Sequence, residues 1–369
     1  MRKFNMDDLK AFRSESLHDK IGRSVGNIAE WFSYWEYQVY VSFSGGKDST
    51  VLADMCAMWC SIIKKPLYLV FVNTGLEYPE IQKFVKEYAQ YLRDKYHIEV
   101  VLEILRPKMR FDEVIKKYGY PIISKEVGEN VSQAKKSIQS GGKHNTYRLA
   151  KLRGELTDKN GNPSRYNIPK YEPLLYTDFN TSNKCCDVMK KAPIKEYEKK
   201  SGRKPIAAQM ACESKLRETL WLRNGCNGFD MKRPISNPMS FWTEQDVLQY
   251  IKQKHLPIAS VYGEIVYAED PNQIRIDDYV SMEIGSEELT TTGCKRTGCI
   301  FCAFGCHLEK EPSRFQALKD THPRQYSYCI GGGEHDENGV WVPSKEGLGM
   351  GHVFDDLNRL YGEGFIKYQ

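Results

Sequence analysis

Apolar residues in the first third of the chain follow two rhythms. Val39-Tyr40-Val41-Ser42-Phe43 and Leu67-Tyr68-Leu69-Val70-Phe71-Val72 are short, nearly unbroken apolar runs, rich in the β-branched and aromatic residues of buried strands. Between them Val51, Leu52, Met55, Trp59 and Ile62 recur at helical spacing, which predicts a helix over 51–63. A second helix is predicted over 79–96, with Pro79 at its first position, and a third strand over 98–105. The order βαβαβ predicts an α/β fold: a doubly wound parallel sheet of Rossmann-like form with right-handed crossovers.

Outside this block the pattern predicts a helical segment over 1–37, with Trp31, Phe32, Tyr34 and Trp35 packed on the first strand. Further helices are predicted over 111–118, 124–138, 187–201 (with Pro193 as a kink or boundary), 213–223 and 243–254, and a fourth strand over 205–210. Thr243 is the N-cap candidate of the last helix. From 140 to 183 periodicity dissolves. Ser140-Gly141-Gly142 and Asp158-Lys159-Asn160-Gly161-Asn162-Pro163 are turn chemistry, so this stretch reads as an irregular, partly mobile insertion. Residues 262–292 also read as irregular. The expected organisation is 1–37 helical, 38–262 α/β with the insertion at about 140–183, and 263–369 an irregular, cysteine-rich C-terminal part.

Between the first strand and its helix lies Ser44-Gly45-Gly46-Lys47-Asp48-Ser49-Thr50. A strand, a glycine turn and a helix start present bare backbone N–H groups to an anion. Gly45 and Gly46 permit close backbone approach. Lys47 supplies a point charge for phosphate, and Asp48 is placed to hold Mg²⁺ or to favour the helix N-terminus. The heptapeptide lacks the first glycine of G-x-x-x-x-G-K-[ST]. It resembles instead the PP-loop of the ATP pyrophosphatases, which implies that Ser44, Gly45, Gly46, Lys47, Asp48, Ser49 and Thr50 hold the phosphates of ATP with Mg²⁺. Asn73-Thr74-Gly75 ends the second strand at the sheet edge where α/β proteins bind ligands.

Composition adds three constraints. No apolar run among the 369 residues approaches the roughly 20 that a membrane helix needs, and the N-terminus lacks a signal-peptide core, so a cytoplasmic protein without membrane contact is expected. Charge is uneven: the net +5 hides 17 Lys/Arg against 7 Asp/Glu between 133 and 204. With Tyr147, Tyr166, Tyr171 and Tyr176 interleaved, that segment suits an anionic substrate or nucleic acid, or simply a solvated face. Eleven cysteines point to metal or redox chemistry in a reducing compartment. Cys56 and Cys60 read as core residues. Cys299-Ile300-Phe301-Cys302 is a CxxC pair with Cys294 and Cys306 nearby, and Cys185-Cys186 lies more than a hundred residues upstream. Four thiolates suit Zn²⁺ or an iron–sulfur cluster, and a lone CxxC suits dithiol redox chemistry.

Taken in order, Ser44 to Ser49, Val72-Asn73-Thr74-Gly75-Leu76-Glu77-Tyr78-Pro79-Glu80, Tyr118-Gly119-Tyr120-Pro121, Cys185-Cys186, Glu213-Ser214-Lys215-Leu216-Arg217, Asn237-Pro238-Met239-Ser240-Phe241-Trp242-Thr243 and Gly298 to Cys302 resemble the phosphoadenosine phosphosulfate (PAPS) reductase family. The resemblance implies an adenine nucleotide contacted by Asn73, Thr74 and Gly75 as well as by the loop, with Lys47, Asp48 and Arg217 in catalysis. It implies a [4Fe–4S] cluster on Cys185, Cys186, Cys299 and Cys302, with structural Zn²⁺ as the alternative and Cys294 or Cys306 able to replace one ligand. His307 is a weaker ligand candidate. A cysteine desulfurase or a thiol reductant is the implied protein partner. Lys184, Lys190, Arg217 and Arg296 are candidates to neutralise phosphate or sulfate.

Three departures shape the expected reaction. The loop keeps its Lys-Asp pair, which sulfonucleotide reductases of this family usually lack. The only cysteine after Cys306 is Cys329, in Tyr-Cys-Ile-Gly-Gly rather than Glu-Cys-Gly. Met210 stands where the family usually has arginine. The expectation is an AMP-forming enzyme of sulfur transfer to a nucleotide or nucleic acid. The rivals are a reductase of adenylyl sulfate or PAPS with Cys329 as nucleophile, and a nucleotide-binding accessory protein of a sulfur-modification or defence complex.

Overall fold

A computed structural model describes residues 3–142, 146–268 and 288–369. Helices α1 (Met6–Ser14) and α2 (Leu17–Tyr34) open the chain. They are followed by β1 (Val39–Ser42), α3 (Lys47–Ile63), β2 (Leu67–Val72), α4 (Pro79–Tyr96) and β3 (Val100–Leu105). Asn5 and Ser16 cap α1 and α2 through their side chains, the residue types that satisfy orphan N–H groups best. Of the aromatic quartet in α2 and its cap, Trp31 and Phe32 are buried. Tyr34 is exposed, its ring set against Phe229.

The chain then builds a second body: α5 (Phe111–Tyr118), β4 (Ile122–Ile123), α6 (Lys125–Gln139), α7 (Thr146–Arg153), a 3₁₀ stretch (Pro169–Tyr176) and a π turn (Asp187–Lys191). The region from 140 to 183 therefore holds more regular structure than its turn-rich sequence predicts. Leu152, Leu174, Leu175 and Phe179 are buried there, and tertiary burial outweighs weak local propensity. The predicted helix over 187–201 becomes the π turn plus α8 (Ala192–Ser201), helical without a break, with Pro193 two residues past the π turn.

Back in the first body come β5 (Lys204–Ile206), α9 (Lys215–Asn224), β6 (Asn227–Gly228), β7 (Ile235–Ser236), α10 (Glu244–Lys254), β8 (Ile265–Tyr267) and β9 (Leu289–Thr291). Most of the stretch expected to be irregular over 262–292 falls outside the described residues. The chain ends in the second body with β10 (Ala303–Phe304), α11 (Arg314–Thr321), α12 (Pro323–Ile330), β11 (Glu334–His335), β12 (Trp341–Val342) and α13 (Met350–Tyr361).

The two bodies are not consecutive in sequence: 1–73, 77–105 and 194–297 form one, and 74–76, 106–193 and 298–369 the other. The boundary expected at 262 lies inside the first body. Its sheet has the order β3-β2-β1-β5-β7-β6, parallel except for the β6–β7 pair. The predicted α/β fold with a mostly parallel, doubly wound sheet is thus present. The core is built on Val39, Val41, Phe43, Leu69 and Phe71 from the sheet and on Val51, Leu52, Met55 and Cys56 from α3, all at most 2% exposed.

Two buried polar clusters brace the helices around β1. Asp54 of α3 accepts from Tyr250 (2.8 Å), Tyr96 (2.9 Å) and Lys95 (2.8 Å), linking α3 to α10 and α4. Lys20 of α2 pairs with Asp246 of α10 at 2.8 Å, both nearly buried. Among the described residues no helix is long and apolar enough to cross a membrane.

Candidate functional site: a glycine turn and a four-thiol centre

In the first body the parallel register of β1 and β2 brings both C-terminal ends to one sheet edge, the edge that binds ligands in such folds. The chain leaves β1 through Ser44-Gly45-Gly46. Gly46 is the N-cap of α3, and no side chain caps the first turn. Its amides therefore keep the orphan donor capacity that suits an anion. Gly45 has φ +73°, and a Cβ there would meet Ile81 and Val85 Cγ2 atoms of α4 at 2.9 Å. Only glycine fits this turn without displacing α4.

The serine and threonine hydroxyls hold the turn's shape. Ser49 and Thr50 each donate to the Gly46 carbonyl, at 2.9 and 3.1 Å, and Ser49 Oγ accepts from the Ser44 amide at 3.2 Å. Thr50 is fully buried. Ser44, Gly46, Lys47 and Asp48 line a cleft with Met210, Glu213, Glu244, Tyr262, Lys295, Arg296 and Thr297. Lys47 is 6% exposed, its Nζ bonded to Glu244 at 3.0 Å and 5.3 Å from the Tyr262 ring centre. Burial pushes the Asp48 carboxyl above its usual range. Lys47, Arg296 and Arg217 oppose that rise, and Glu244 adds to it. Burial lowers the Arg217 guanidinium's affinity for its proton, with Asp48 pulling the other way. Arg217 also pairs with Glu213.

Glu244, Tyr262, Lys295 and Thr297 join the cleft although the sequence did not single them out for it. Their signals are local: Glu244 follows the Thr243 cap, and Lys295-Arg296-Thr297 immediately precedes the CxxC segment. Asn73 belongs to the body that carries the loop. Its amide N–H donates to Leu105 O at 2.8 Å, and its side chain donates to Gln82 at 3.2 Å. Thr74 and Gly75 belong to the second body, where Thr74 Oγ1 accepts from the Leu76 amide at 3.2 Å.

In the second body Cys185, Cys186, Cys299 and Cys302 line one pocket, walled by Leu76, Phe111, Pro121 and Met189 with Lys190 at its edge. The backbone around Tyr120-Pro121-Ile122-Ile123 joins these remote pairs. On one side Tyr120 N–H donates to Asn180 O at 2.8 Å and Ser182 N–H to Tyr120 O at 3.0 Å. On the other, β4 pairs in parallel with β10, Ala303 N–H donating to Pro121 O and Gly305 N–H to Ile123 O. Gly119 makes the approach possible: its φ is +106°, and a Cβ would lie 2.4–2.6 Å from the backbone of Asn180 and Thr181. The CxxC turn closes with Cys302 N–H to Cys299 O at 3.0 Å.

The donor set is chemically ready for a thiophilic metal. Cys186 is pushed down to about 6, first by a hydrogen bond from Cys185 and then by Lys125, Lys190 and Lys191, against burial. Cys185 is pushed up, by its bond to Cys186 and by burial. Burial raises Cys302, and Arg314 counteracts it. Apolar walls, four thiols and a cationic rim fit a cluster or ion whose thiolate ligands carry negative charge.

The alternative ligands stand elsewhere. Cys306 is buried, donates to Ala303 O at 3.1 Å and is pushed up to about 12 by burial. Cys294 belongs to the first body, its thiol donating to Arg296 O at 2.8 Å. His307 stacks on Phe365. Cys329, the nucleophile of the reductase reading, is fully buried against Met350 Sδ at 3.4 Å, and burial pushes its thiol far up. That is the environment of an inert core thiol. In the basic segment Lys135 bonds Thr177 O at 3.0 Å and Phe179 O at 2.6 Å, Lys151 pairs with Glu126, and Arg148 bonds Asn130. Tyr147, Tyr166 and Tyr176 remain exposed.

Comparisons with known proteins place the chain at family level. Two uncharacterized proteins of Methanocaldococcus jannaschii are each 32% identical to the chain, over 109 and 115 residues. These alignments cover 30% and 31% of this chain, and the chain spans under a quarter of each relative, 24% and 22%. A solved structure of NMN synthetase from Francisella tularensis aligns over 66% of this chain and 73% of its own, at 13% identity and a TM-score of 0.30, too distant to bear on function. The model of the phosphoadenosine phosphosulfate reductase domain matches residues 38–145 and 147–304, so the chain, with its glycine turn and its cysteine pairs inside that span, belongs to the phosphoadenosine phosphosulfate reductase domain family.

Proposed function

We propose that the protein is an AMP-forming PP-loop enzyme that binds ATP with Mg²⁺, carries an iron–sulfur cluster, and acts in sulfur transfer to a nucleotide or nucleic acid. The observation that carries this reading is the pairing of an uncapped, intact Ser44–Ser49 turn with four thiols gathered from segments more than a hundred residues apart. A reductase needs no adenylating loop, and a plain nucleotide binder needs no thiol pocket.

The β- and γ-phosphates would rest on the amides at the start of α3. Lys47, Lys295 and Arg296 face the negative charge that grows as pyrophosphate leaves. Lys47 is held by Glu244 until a phosphate replaces that partner. Asp48, beside Lys47 at the start of α3, would hold Mg²⁺, with Glu213 and Glu244 lining the same cleft. A substrate oxygen attacks the α-phosphorus, pyrophosphate departs, and the adenylated oxygen becomes a leaving group. A hydrosulfide equivalent then forms the new carbon–sulfur bond as the carbon–oxygen bond breaks and AMP leaves. Cys185, Cys186, Cys299 and Cys302 would hold the cluster, which when bound supplies a site for sulfide or for electrons. Lys125, Lys190 and Lys191 offset its charge. The exposed tyrosines and remaining cations of the basic segment suit an oligonucleotide acceptor, and a cysteine desulfurase suits the sulfur supply.

The test is pyrophosphate release from ATP in the anaerobically purified protein. It is expected to require Lys47 and Asp48, with iron and acid-labile sulfide bound in the wild type. A protein that bound only a sulfonucleotide, or a colourless one holding a single zinc, would overturn the reading. The family assignment favours one second reading, reduction of a sulfonucleotide with sulfite release. It requires Cys329 as nucleophile, and that thiol is buried.

A further inference from the structure

Away from the loop and the thiols, the second body gathers a second donor cluster from three separate segments. Asp178 comes from the end of the basic insertion, His335 from β11, and His352 and Asp356 one turn apart on α13. His352 Nε2 lies 2.9 and 3.1 Å from the two Asp178 oxygens and 4.0 Å from Asp356 Oδ2. His335 Nε2 is 2.9 Å from Asp178 Oδ2. One ligand atom each from Asp178, His352 and Asp356 fits within 4.8 Å of the others.

We propose that Asp178, His352 and Asp356 bind a divalent transition-metal ion of the zinc class, with His335 holding the Asp178 carboxylate. Ligands about 2.1 Å from a tetrahedral zinc stand about 3.4 Å from one another; His352 Nε2 is 2.9 Å from the nearer Asp178 oxygen and 4.0 Å from Asp356 Oδ2, and all three ligand atoms lie within 4.8 Å of one another. Imidazole with carboxylate is the zinc-type donor mixture. Three carboxylate oxygens stand within 4.0 Å of this one Nε2, so a cation on its lone pair would sit among them.

The surroundings hold the donors in place. The Trp341 ring lies 4.2 Å from that of His352 and 5.1 Å from that of His335. Its backbone N–H donates to Asp178 O at 2.7 Å and its indole to Gly349 O at 2.9 Å. Arg359 takes the other Asp356 oxygen at 2.6 Å, leaving Oδ2 toward His352. The ion would tie α13 to the segment that carries Asp178. The site is independent of the reaction proposed above and is read by metal binding alone.

The test uses the full chain with Cys186→Ser and Cys299→Ser, stripped by chelator and titrated with Co²⁺ and Zn²⁺. One Co²⁺ per chain is expected, with a tetrahedral visible spectrum free of thiolate charge-transfer bands. His352→Ala is expected to weaken binding by at least tenfold, in line with the loss seen when metal-site partners are removed. No ion bound at micromolar concentration, or binding unmoved by His352→Ala, overturns the proposal: the four side chains would then form a hydrogen-bonded cluster only. Should the serine variants fail to fold, zinc-loaded chains with native cysteines are compared. A fall of one zinc per chain in His352→Ala supports the site, and an unchanged stoichiometry sinks it.

Discussion

In the first body, seven consecutive residues make the anion-facing turn: the helix start supplies the amides, Gly45 the sharp bend, and Ser49 and Thr50 the closure. In the second, four thiols from two segments meet because a third segment, Tyr120 to Ile123, binds both by main-chain hydrogen bonds. A contiguous site survives damage to distant packing as long as its own strand and helix persist. A site assembled from remote pieces depends on residues that carry no chemistry. Gly119 is such a residue.

The sharpest way to break this contrast is Gly119→Ala. Positive φ and overlap with the Asn180 backbone are expected to cost about 3–5 kcal/mol. Bound iron or zinc per chain should fall while nucleotide affinity holds, as measured by metal analysis and ATP titration on one preparation. Retention of full metal content would show that the bracket is not what gathers the thiols. The converse variant is Lys47→Met. Pyrophosphate release should drop about 10²–10³-fold, the scale of one lost transition-state donor, with metal content unchanged.

A smaller effect tests the segment 177–179 that precedes Cys185-Cys186 and is held by Lys135. Burial lowers Lys135 from 10.5 to about 8, so between those values the unfolded chain binds the extra proton. Stability from this group therefore rises as pH increases from about 8 towards 10, and it is lost as pH falls through 8. Urea unfolding of wild type minus Lys135→Met, at pH 7.5 and 9.5, should show the wild type gaining about 1–2 kcal/mol after allowance for solvent screening. A flat difference would mean the ammonium is solvated. The smallest expected change is in Cys306→Ser, whose thiol donates to Ala303 O. Metal content should stay the same within error, whereas loss of the metal would make Cys306 a ligand.

Legibility in the sequence followed the same division. The helices 79–96 and 111–118 coincide with α4 and α5, and Thr243 caps α10 as predicted, because periodicity and capping act over a few residues. The turn at Ser44–Ser49 was readable for the same reason. Residues 140–183 were not: α7 and the 3₁₀ stretch rest on burial of Leu152, Leu174 and Leu175, and nearby turn residues mask that signal. Glu244 and Tyr262 join the cleft by tertiary contact with Lys47, which no spacing in the chain encodes. The His352 and Asp356 pair lies at helical spacing, but its partners Asp178 and His335 are far off in sequence.

By itself the amino-acid order determined the alternation of strands and helices, the anion-facing turn and the presence of two cysteine pairs. All three follow from local sterics, periodicity and residue type. Only the tertiary structure decided that the chain interleaves two bodies, that the cysteine pairs share one pocket, that Cys329 is sealed in a core, and that Asp178 meets His335, His352 and Asp356. Those outcomes depend on main-chain pairing and burial between segments tens to hundreds of residues apart, and local preferences do not extend that far.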